Sequence, residues 1–193
     1  MPSYKPTACY HCKVLYVPIL PEALDLCPDC ARLSVATFET KCEAFNSFMR
    51  IYAEFPWDQR SMKGDAILIP PNHDFGYMST PANALTFSSM GVDGVHDALL
   101  KIGGEVCDNS PVLQISPMDS DDHIILAPTF LDYLADGCGV PKTKIRSLLA
   151  IENHDQLVPF LDERFESGRL LDEDRARKMN ARFGHLIQRK PLA

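Results

Sequence analysis

The sequence lacks a long apolar run, which excludes an ordinary membrane-spanning helix. Such a helix needs roughly 18 or more consecutive apolar residues, and no stretch of the 193 residues approaches that length. The first residues, Met1–Thr7, also lack the apolar core of a secretory signal. We therefore expect a cytoplasmic protein that makes no membrane contact.

The sequence is also short of positive charge. Its 26 Asp and Glu residues outnumber its 19 Lys and Arg residues, which gives a net charge of −7. A negative field repels phosphates, so nucleic-acid binding is unlikely on this ground and a basic protein partner is favoured. One basic segment stands apart, because six Lys or Arg residues and no acids lie between Arg175 and the C-terminus. We interpret it as a solvated helix face, with nucleic-acid contact as the alternative.

Signatures of common catalytic sites are absent as well. The sequence contains no His-Glu-x-x-His, no Gly-x-Ser-x-Gly and no glycine-rich phosphate loop. The remaining candidates for chemistry are His96, His123 and the aspartates near them, which a metal-assisted hydrolase could gather at strand ends. Their spacing does not require such a site. We therefore favour a non-catalytic protein and keep the hydrolase as an alternative.

Cysteine is the residue type with the clearest pattern. The chain has seven cysteines, an odd number that argues against a disulfide framework. Four of them form two Cys-x-x-Cys pairs, Cys9 with Cys12 and Cys27 with Cys30. Two such turns supply the four thiolates of a tetrahedral site with metal–sulfur distances of about 2.3 Å. The sequence therefore predicts a structural Zn²⁺ bound by all four cysteines, with no position left open for chemistry.

A redox dithiol is the alternative interpretation of the second pair. Cys27-Pro-Asp-Cys30 by itself is similar to a Cys-Pro-x-Cys dithiol, but such a motif would follow a buried strand in a βαβ unit. Residues 9–30 as a whole resemble the zinc-ribbon class of small modules. Zinc ribbons serve in transcription, translation and protein contacts, so the class does not name a function. A nucleic-acid-associated adaptor that uses the ribbon and the basic C-terminal segment is therefore a further alternative.

The rest of the chain predicts an α+β fold. Apolar positions recur every three or four residues between Leu33 and Tyr52, which predicts an amphipathic helix with Cys42 as a small apolar side chain on its buried face. An antiparallel sheet follows, in which the alternation within Ala84–Ser89 predicts one buried and one solvated face. Helices complete the chain. The predicted strands are 66–69, 84–89, 95–100, 111–116 and 123–127, and the later helices begin near Thr129, Pro141, Asp155 and Asp172.

We divide the chain into three parts on this basis. Residues 1–32 form the zinc ribbon, residues 33–152 the α+β domain, and residues 153–193 a C-terminal helical extension. The predicted order is thus an N-terminal zinc ribbon, an amphipathic helix, an antiparallel sheet and C-terminal helices. No internal repeat and no low-complexity segment interrupts this order.

The run from Pro111 to Ala135 carries a family resemblance. It contains a strand, a short polar loop, a second strand that ends in small residues, and then Thr129 and Phe130 at the start of a helix. This order resembles the SUKH superfamily, and the similarity covers roughly residues 84–136. The resemblance implies a bacterial immunity-type protein that neutralises a toxin, often a basic nuclease, by covering its surface. Acidic charge would steer this protein toward such a partner.

Three aspartates are concentrated in the loop of that run. Asp119, Asp121 and Asp122 lie between the two predicted strands, at 111–116 and 123–127. We predict that they belong to a face that contacts a basic protein partner. The alternatives are a solvated loop, since Asp and Ser are typical turn residues, and a metal-binding or catalytic loop. The sequence thus favours a protein-binding role in which an acidic face blocks a partner's site.

The first testable prediction concerns the metal. Purified protein should contain about one zinc ion per chain, because the two Cys-x-x-Cys pairs complete a single tetrahedral shell. Metal analysis of protein purified without chelators measures this. Less than about half an equivalent of zinc, or thiols recovered from the native cell oxidised in pairs, would contradict the site. A second bound metal would favour the hydrolase.

Overall fold

The structure is a computed structural model, and it describes residues 7–8, 15–16, 40–53, 61–62, 66–68, 77–90, 93–118, 123–150 and 154–191. Within these ranges the chain combines helices with antiparallel strands, which confirms the predicted α+β class. None of the described helices is long and apolar enough to cross a membrane. The predicted boundaries at residues 32 and 152 fall outside these ranges.

A six-stranded antiparallel sheet forms the centre of the fold. Its strand order is β3-β4-β5-β6-β7-β8, so each strand pairs with the one that precedes it in sequence. Short connections favour such a meander, because antiparallel neighbours need no crossover. The sheet strands predicted from the sequence are all present. The strands are β3 Ser61–Met62, β4 Ala66–Leu68, β5 Ala84–Ser89, β6 His96–Leu100, β7 Val112–Ile115 and β8 His123–Ala127.

A separate pair of short strands lies near the N-terminus. Strand β1, Thr7–Ala8, runs antiparallel to β2, Leu15–Tyr16. The residues that connect the two strands in sequence, 9–14, contain the first Cys-x-x-Cys pair. The zinc-ribbon hairpin was instead predicted between Cys12 and Cys27, and apart from β2 that stretch lies outside the described residues.

Helices cover both faces of the sheet. Four of them pack on the inner face, around one large apolar core that also includes Leu85, Phe87 and Leu99. The fifth helix packs on the outer face over a smaller core that includes Ala98, Leu113 and Ile125. The helices are α1 Glu43–Ala53, α2 Phe130–Cys138, α3 Lys142–Leu149 and α4 His154–Arg164 on the inner face, and α5 Glu173–Phe183 on the outer face.

Strand β5 differs from its prediction, because all six of its residues are buried. Leu85 and Phe87 belong to the inner core, whereas Ala84 belongs to the outer core. The pairing with β6 also shifts register between Thr86 and Ser88, which marks a β-bulge. The prediction of a solvated face was wrong because α5 and the chain that follows it cover that face. Alternation within one strand cannot reveal a covering element so distant in sequence.

Aromatic rings fill the inner core beneath α1 and α2. Phe45, Phe87 and Phe130 contact one another edge to face, with ring centroids 5.0 to 5.7 Å apart. Such contacts are each worth roughly 0.5–1.5 kcal/mol beyond the area they bury. Cys42, Met49 and the three rings are almost completely inaccessible to solvent, which confirms the predicted apolar face of the first helix.

Side-chain caps define where the helices begin. Thr129 Oγ1 accepts a hydrogen bond from the backbone N–H of Asp132 at 3.1 Å, and Asp172 caps α5 in the same way. Helix α1 is capped by a residue 65 positions away, because the N–H of Glu43 donates to Asp108 Oδ1 at 3.1 Å. The predicted starts at Thr129 and Asp172 are therefore confirmed, while the cap of α1 depends on tertiary structure.

Gly137 lies inside α2, although its glycine suggested the end of that helix. The helix ends instead at Gly139, whose φ of 64° is the left-handed conformation that favours glycine. An added Cβ at Gly137 would overlap the ring of Phe165, which is fully buried. The absence of a side chain at Gly137 therefore allows α4 and α2 to approach closely.

The second prediction tests this close approach. Alanine at a helix-interior glycine gains about 1 kcal/mol from helix propensity, but overpacking a rigid core costs roughly 1–3 kcal/mol. We therefore expect Gly137→Ala to lower the free energy of unfolding by up to about 2 kcal/mol in urea denaturation. Gly168→Ala is the control, since its added Cβ would meet nothing within 4 Å. An unchanged or raised stability of Gly137→Ala would contradict the prediction.

Candidate functional site

Two loops project from the same end of the sheet. The β5–β6 turn precedes His96 and the β7–β8 loop precedes His123, and both residues align with Ile115 across the strands. Cross-strand partners share a face of the sheet, so His96 and His123 lie in one row on one face. We call this end, with the two loops and the two histidines, the turn end.

His96 is completely buried at the turn end. Its ring stacks on that of Tyr77, with centroids 6.1 Å apart. Nδ1 lies 2.7 Å from the carbonyl oxygen of Gly94, and Nε2 lies 3.0 Å from Thr80 Oγ1. Because a carbonyl can only accept, Nδ1 carries the hydrogen, and in the neutral ring Nε2 accepts from the Thr80 hydroxyl. Both nitrogens therefore have partners, as predicted for a buried structural histidine.

Residues 77–83 form a strap across the turn end. His123 Nε2 lies 2.5 Å from the carbonyl oxygen of Ser79 in the strap. The C-terminal segment holds the strap from its other side, because the N–H of Ala82 donates to the carbonyl of Gln188 at 2.8 Å. The strap is therefore bonded both to the sheet and to the end of the chain.

Two large apolar side chains remain exposed at the turn end. Met118, which follows β7, is 80% exposed, and Met78 in the strap is 54% exposed. Methionine is flexible and polarizable, and it is common on surfaces that adapt to partners. Asp93 adds an exposed carboxylate in the β5–β6 turn. The described part of the turn end thus combines apolar side chains with negative charge.

The three aspartates predicted to contact a partner, Asp119, Asp121 and Asp122, lie outside the described residues. The chain enters their loop at Met118 and leaves it at His123. The register of β7 with β8 places both of these flanking residues at the turn end. Topology therefore attaches the acidic loop to the end of the sheet that carries the exposed methionines.

The four predicted zinc ligands, Cys9, Cys12, Cys27 and Cys30, also lie outside the described residues. Within the part of the chain that the structure describes, no three His, Cys, Asp or Glu side chains are grouped so that they could hold a metal. The two histidines of the hydrolase alternative belong to this part, and His96 could ligate a metal only by giving up a buried hydrogen bond.

Two of the remaining cysteines are unsuited to nucleophilic chemistry. Burial raises the pKa of Cys42 to about 12 and the pKa of Cys138 to about 11. Both side chains are therefore thiols at neutral pH, whereas the thiolate is the nucleophile. Cys107 is half-buried, and its sulfur lies 3.8 Å from the hydroxyl of Ser110, which donates a weak hydrogen bond to it.

A buried carboxyl group lies on the opposite face of β6 from His96. Asp97 is inaccessible to solvent, and its oxygens accept hydrogen bonds from Tyr133 at 2.8 Å, Ser88 at 3.1 Å and Gln114 at 3.4 Å. Burial raises the pKa of Asp97 to about 6, although the three hydrogen bonds oppose the shift. We call these four residues the Asp97 cluster, and they join β5, β6 and β7 to α2.

An open cleft of about 670 Å³ lies on the helical side of the molecule. Its volume suits a small ligand, but its charged groups are of both signs and several are already paired. Lys142 forms an ion pair with Asp132 at 2.9 Å, and Asp108 caps α1. The cleft therefore selects no ligand class. The lining includes Cys42, Glu43, Ser47, Asp108, Asn109, Thr129, Leu131, Lys142, Arg146 and Leu149.

The strap and the Asp97 cluster have no periodic signature in the sequence. Tyr77 and Thr80 belong to a stretch rich in proline and glycine that predicts only turns, and their partner His96 is 16 or more positions away. Asp97 has a weak signal, since it is a lone carboxylate in the strand Val95–Leu100. An acid at such a position is either solvated or enclosed by donors, and only tertiary structure decides between the two.

Comparisons of this chain with protein-family models, with curated proteins and with solved structures found no match. The zinc-ribbon and SUKH resemblances therefore rest on sequence patterns alone. A proposal for function has to be argued from the residues of this chain and from their geometry.

The third prediction concerns the Asp97 carboxyl group. Its pKa rises from an ordinary 3.8 to about 6 on folding, so the folded state binds the proton more tightly than the unfolded state does. This contribution to stability is present below pH 3.8 and is lost as the pH rises through about 6. Asp97→Asn should remove the loss. The unfolding free energy of the variant minus that of wild type should rise by up to about 3 kcal/mol between pH 4 and 7.

Urea denaturation at a series of pH values measures this difference. Gln114 can rotate its amide group to present oxygen, so the variant retains a partner for the new amide. Asp93→Asn is the matched control, because Asp93 is exposed and its substitution should leave the pH dependence as in wild type. A pH-independent difference between Asp97→Asn and wild type would refute the assignment.

Proposed function

We propose that this protein is a non-catalytic binding protein that occludes a basic protein partner with the turn end of its sheet. The observation that carries the proposal is the 80% exposure of Met118 at the entry to a loop with three aspartates. An apolar anchor supplies contact area, and neighbouring negative charges steer a basic partner into contact. An immunity-type inhibitor of a toxin or enzyme, as the SUKH resemblance implies, would act in this way.

The rigidity of the turn end supports a mechanism of occlusion. Thr80 and Ser79 are bonded to His96 and His123, and the Nζ atom of Lys190 donates to the carbonyl of Tyr77 at 3.2 Å. A surface that is already ordered loses less conformational entropy when it binds. The strap would therefore present Met78 in a preformed position.

A structural zinc at the N-terminus is part of the proposal. Strands β1 and β2 pair on either side of residues 9–14, which contain Cys9 and Cys12. A hairpin with a Cys-x-x-Cys pair in its connection supports a zinc-ribbon interpretation, and Cys27 with Cys30 would complete the shell. Zinc would then stabilise a segment too short to bury a core of its own.

A reducing compartment such as the cytoplasm suits this protein. Cys42, Cys107 and Cys138 are free thiols. Free cysteines persist where cellular reductants keep thiols reduced, and zinc thiolates have the same requirement. A cytoplasmic location therefore belongs to the proposal.

The fourth prediction tests the acidic loop. A pull-down from the native host, analysed by mass spectrometry, identifies the partner, and surface plasmon resonance then measures association rates at several salt concentrations. The triple charge reversal Asp119→Lys, Asp121→Lys and Asp122→Lys should slow association by about tenfold or more at low salt and flatten its salt dependence. The cause is the loss of electrostatic steering at the site of contact.

A matched variant separates local charge from net charge. Asp162→Lys, Glu163→Lys and Glu173→Lys change the net charge equally at exposed positions on α4 and α5. This control should slow association much less than the loop variant does. Equal slowing by the two variants, or association rates that neither variant changes, would rule out the acidic loop as the contact surface.

A further inference from the structure

Strand β8 is the last strand of the sheet, so one of its two backbone edges has no neighbouring strand. Such an edge offers N–H and C=O groups to any extended chain that approaches. The sequence of β8, His-Ile-Ile-Leu-Ala, contains no charged residue and no proline that would discourage pairing. This edge would be a liability if it were open to solvent.

Side chains of α5 occupy this edge in place of a strand. Asn180 Oδ1 accepts a hydrogen bond from the N–H of Ile125 at 2.8 Å, and Asn180 Nδ2 donates to the carbonyl of His123 at 3.4 Å. One amide side chain thus satisfies a donor and an acceptor two residues apart, as a paired strand would.

Arg175 extends this cover toward the end of β8. Its Nε and Nη2 atoms donate to the carbonyl of Leu126 at 3.2 and 3.0 Å, and Nη2 also contacts Asp136 on α2 at 2.5 Å. The guanidinium group therefore joins the edge of the sheet to the inner helix layer. This role absorbs one cation of the basic C-terminal segment into the fold.

Helix α5 holds its position with little buried surface. None of its residues is buried, and its apolar contribution to the outer core comes from Met179 and Phe183, which are only partly buried. By contrast, Phe130 and Leu134 in α2 are almost completely inaccessible. The hydrogen bonds of Arg175 and Asn180 are therefore a large share of what holds α5 against the edge.

We propose that the outer edge of β8 is a strand-pairing surface, that Arg175 and Asn180 mask it, and that β8 of a second copy of this chain occupies it when the mask is removed. Two copies of one strand pair antiparallel around a twofold axis without any change of sequence. Ile125 is the central residue of the strand, and its N–H points outward to Asn180. Two Ile125 residues facing each other could therefore exchange backbone hydrogen bonds.

The fifth prediction follows from this proposal. Sedimentation velocity over a range of concentrations should show that Arg175→Ala with Asn180→Ala doubles in mass as concentration rises, relative to wild type. Hydrogen exchange at the amide of Ile125 should be about tenfold faster than in wild type at low concentration, because one hydrogen bond is lost. The same amide should become protected again at high concentration, when a second copy of β8 pairs with it.

The control substitutes two exposed side chains of the same C-terminal segment, Lys178→Ala with His185→Ala. It should keep the mass and the Ile125 exchange rate of wild type at every concentration. Asn180→Leu is a second test variant, because leucine favours the helix while it removes both hydrogen bonds of Asn180. A variant with a native circular dichroism spectrum whose mass and Ile125 exchange match those of wild type would overturn the proposal.

Discussion

The burial of the central strands on both faces is the constraint on which the rest of this structure depends. Helices α1 to α4 cover one face of β5, β6 and β7, and α5 with the end of the chain covers the other. Polar groups on these strands must therefore find hydrogen-bond partners inside the protein. His96 and Asp97 are neighbours in sequence but lie on opposite faces of β6. His96 bonds to Gly94 and Thr80, whereas Asp97 accepts three hydrogen bonds from side chains.

This constraint explains why polar residues that suggest chemistry have structural roles in the described part of the chain. His96 holds the strap, and His123 contacts the strap at Ser79. The Asp97 cluster joins three strands to α2, and a fully satisfied buried network of this kind helps to specify one arrangement of a core. The same bonds stiffen the turn end. A stiff support suits a surface that binds a partner by complementarity.

The sheet has two boundaries that its helices do not bury, and the protein treats them differently. At the turn end, Met118 and Met78 remain exposed, although apolar exposure contributes nothing to folding. At the β8 edge, Arg175 and Asn180 satisfy the free backbone groups with side chains. Exposure at one boundary and cover at the other are what a protein requires if it is to bind a partner without pairing with itself.

The sequence by itself determined the α+β class, the sheet strands from β4 to β8 and the starts of α2, α3 and α5. Those features depend on local signals, such as the caps at Thr129 and Asp172 and the periodicity that placed Cys42 in the core. Tertiary structure alone decided that β5 is buried on both faces, that Gly137 continues a helix, and that Asp97 is enclosed. Each of these outcomes requires contact with an element far away in sequence, and a pattern read along one segment contains no information about which element will cover it.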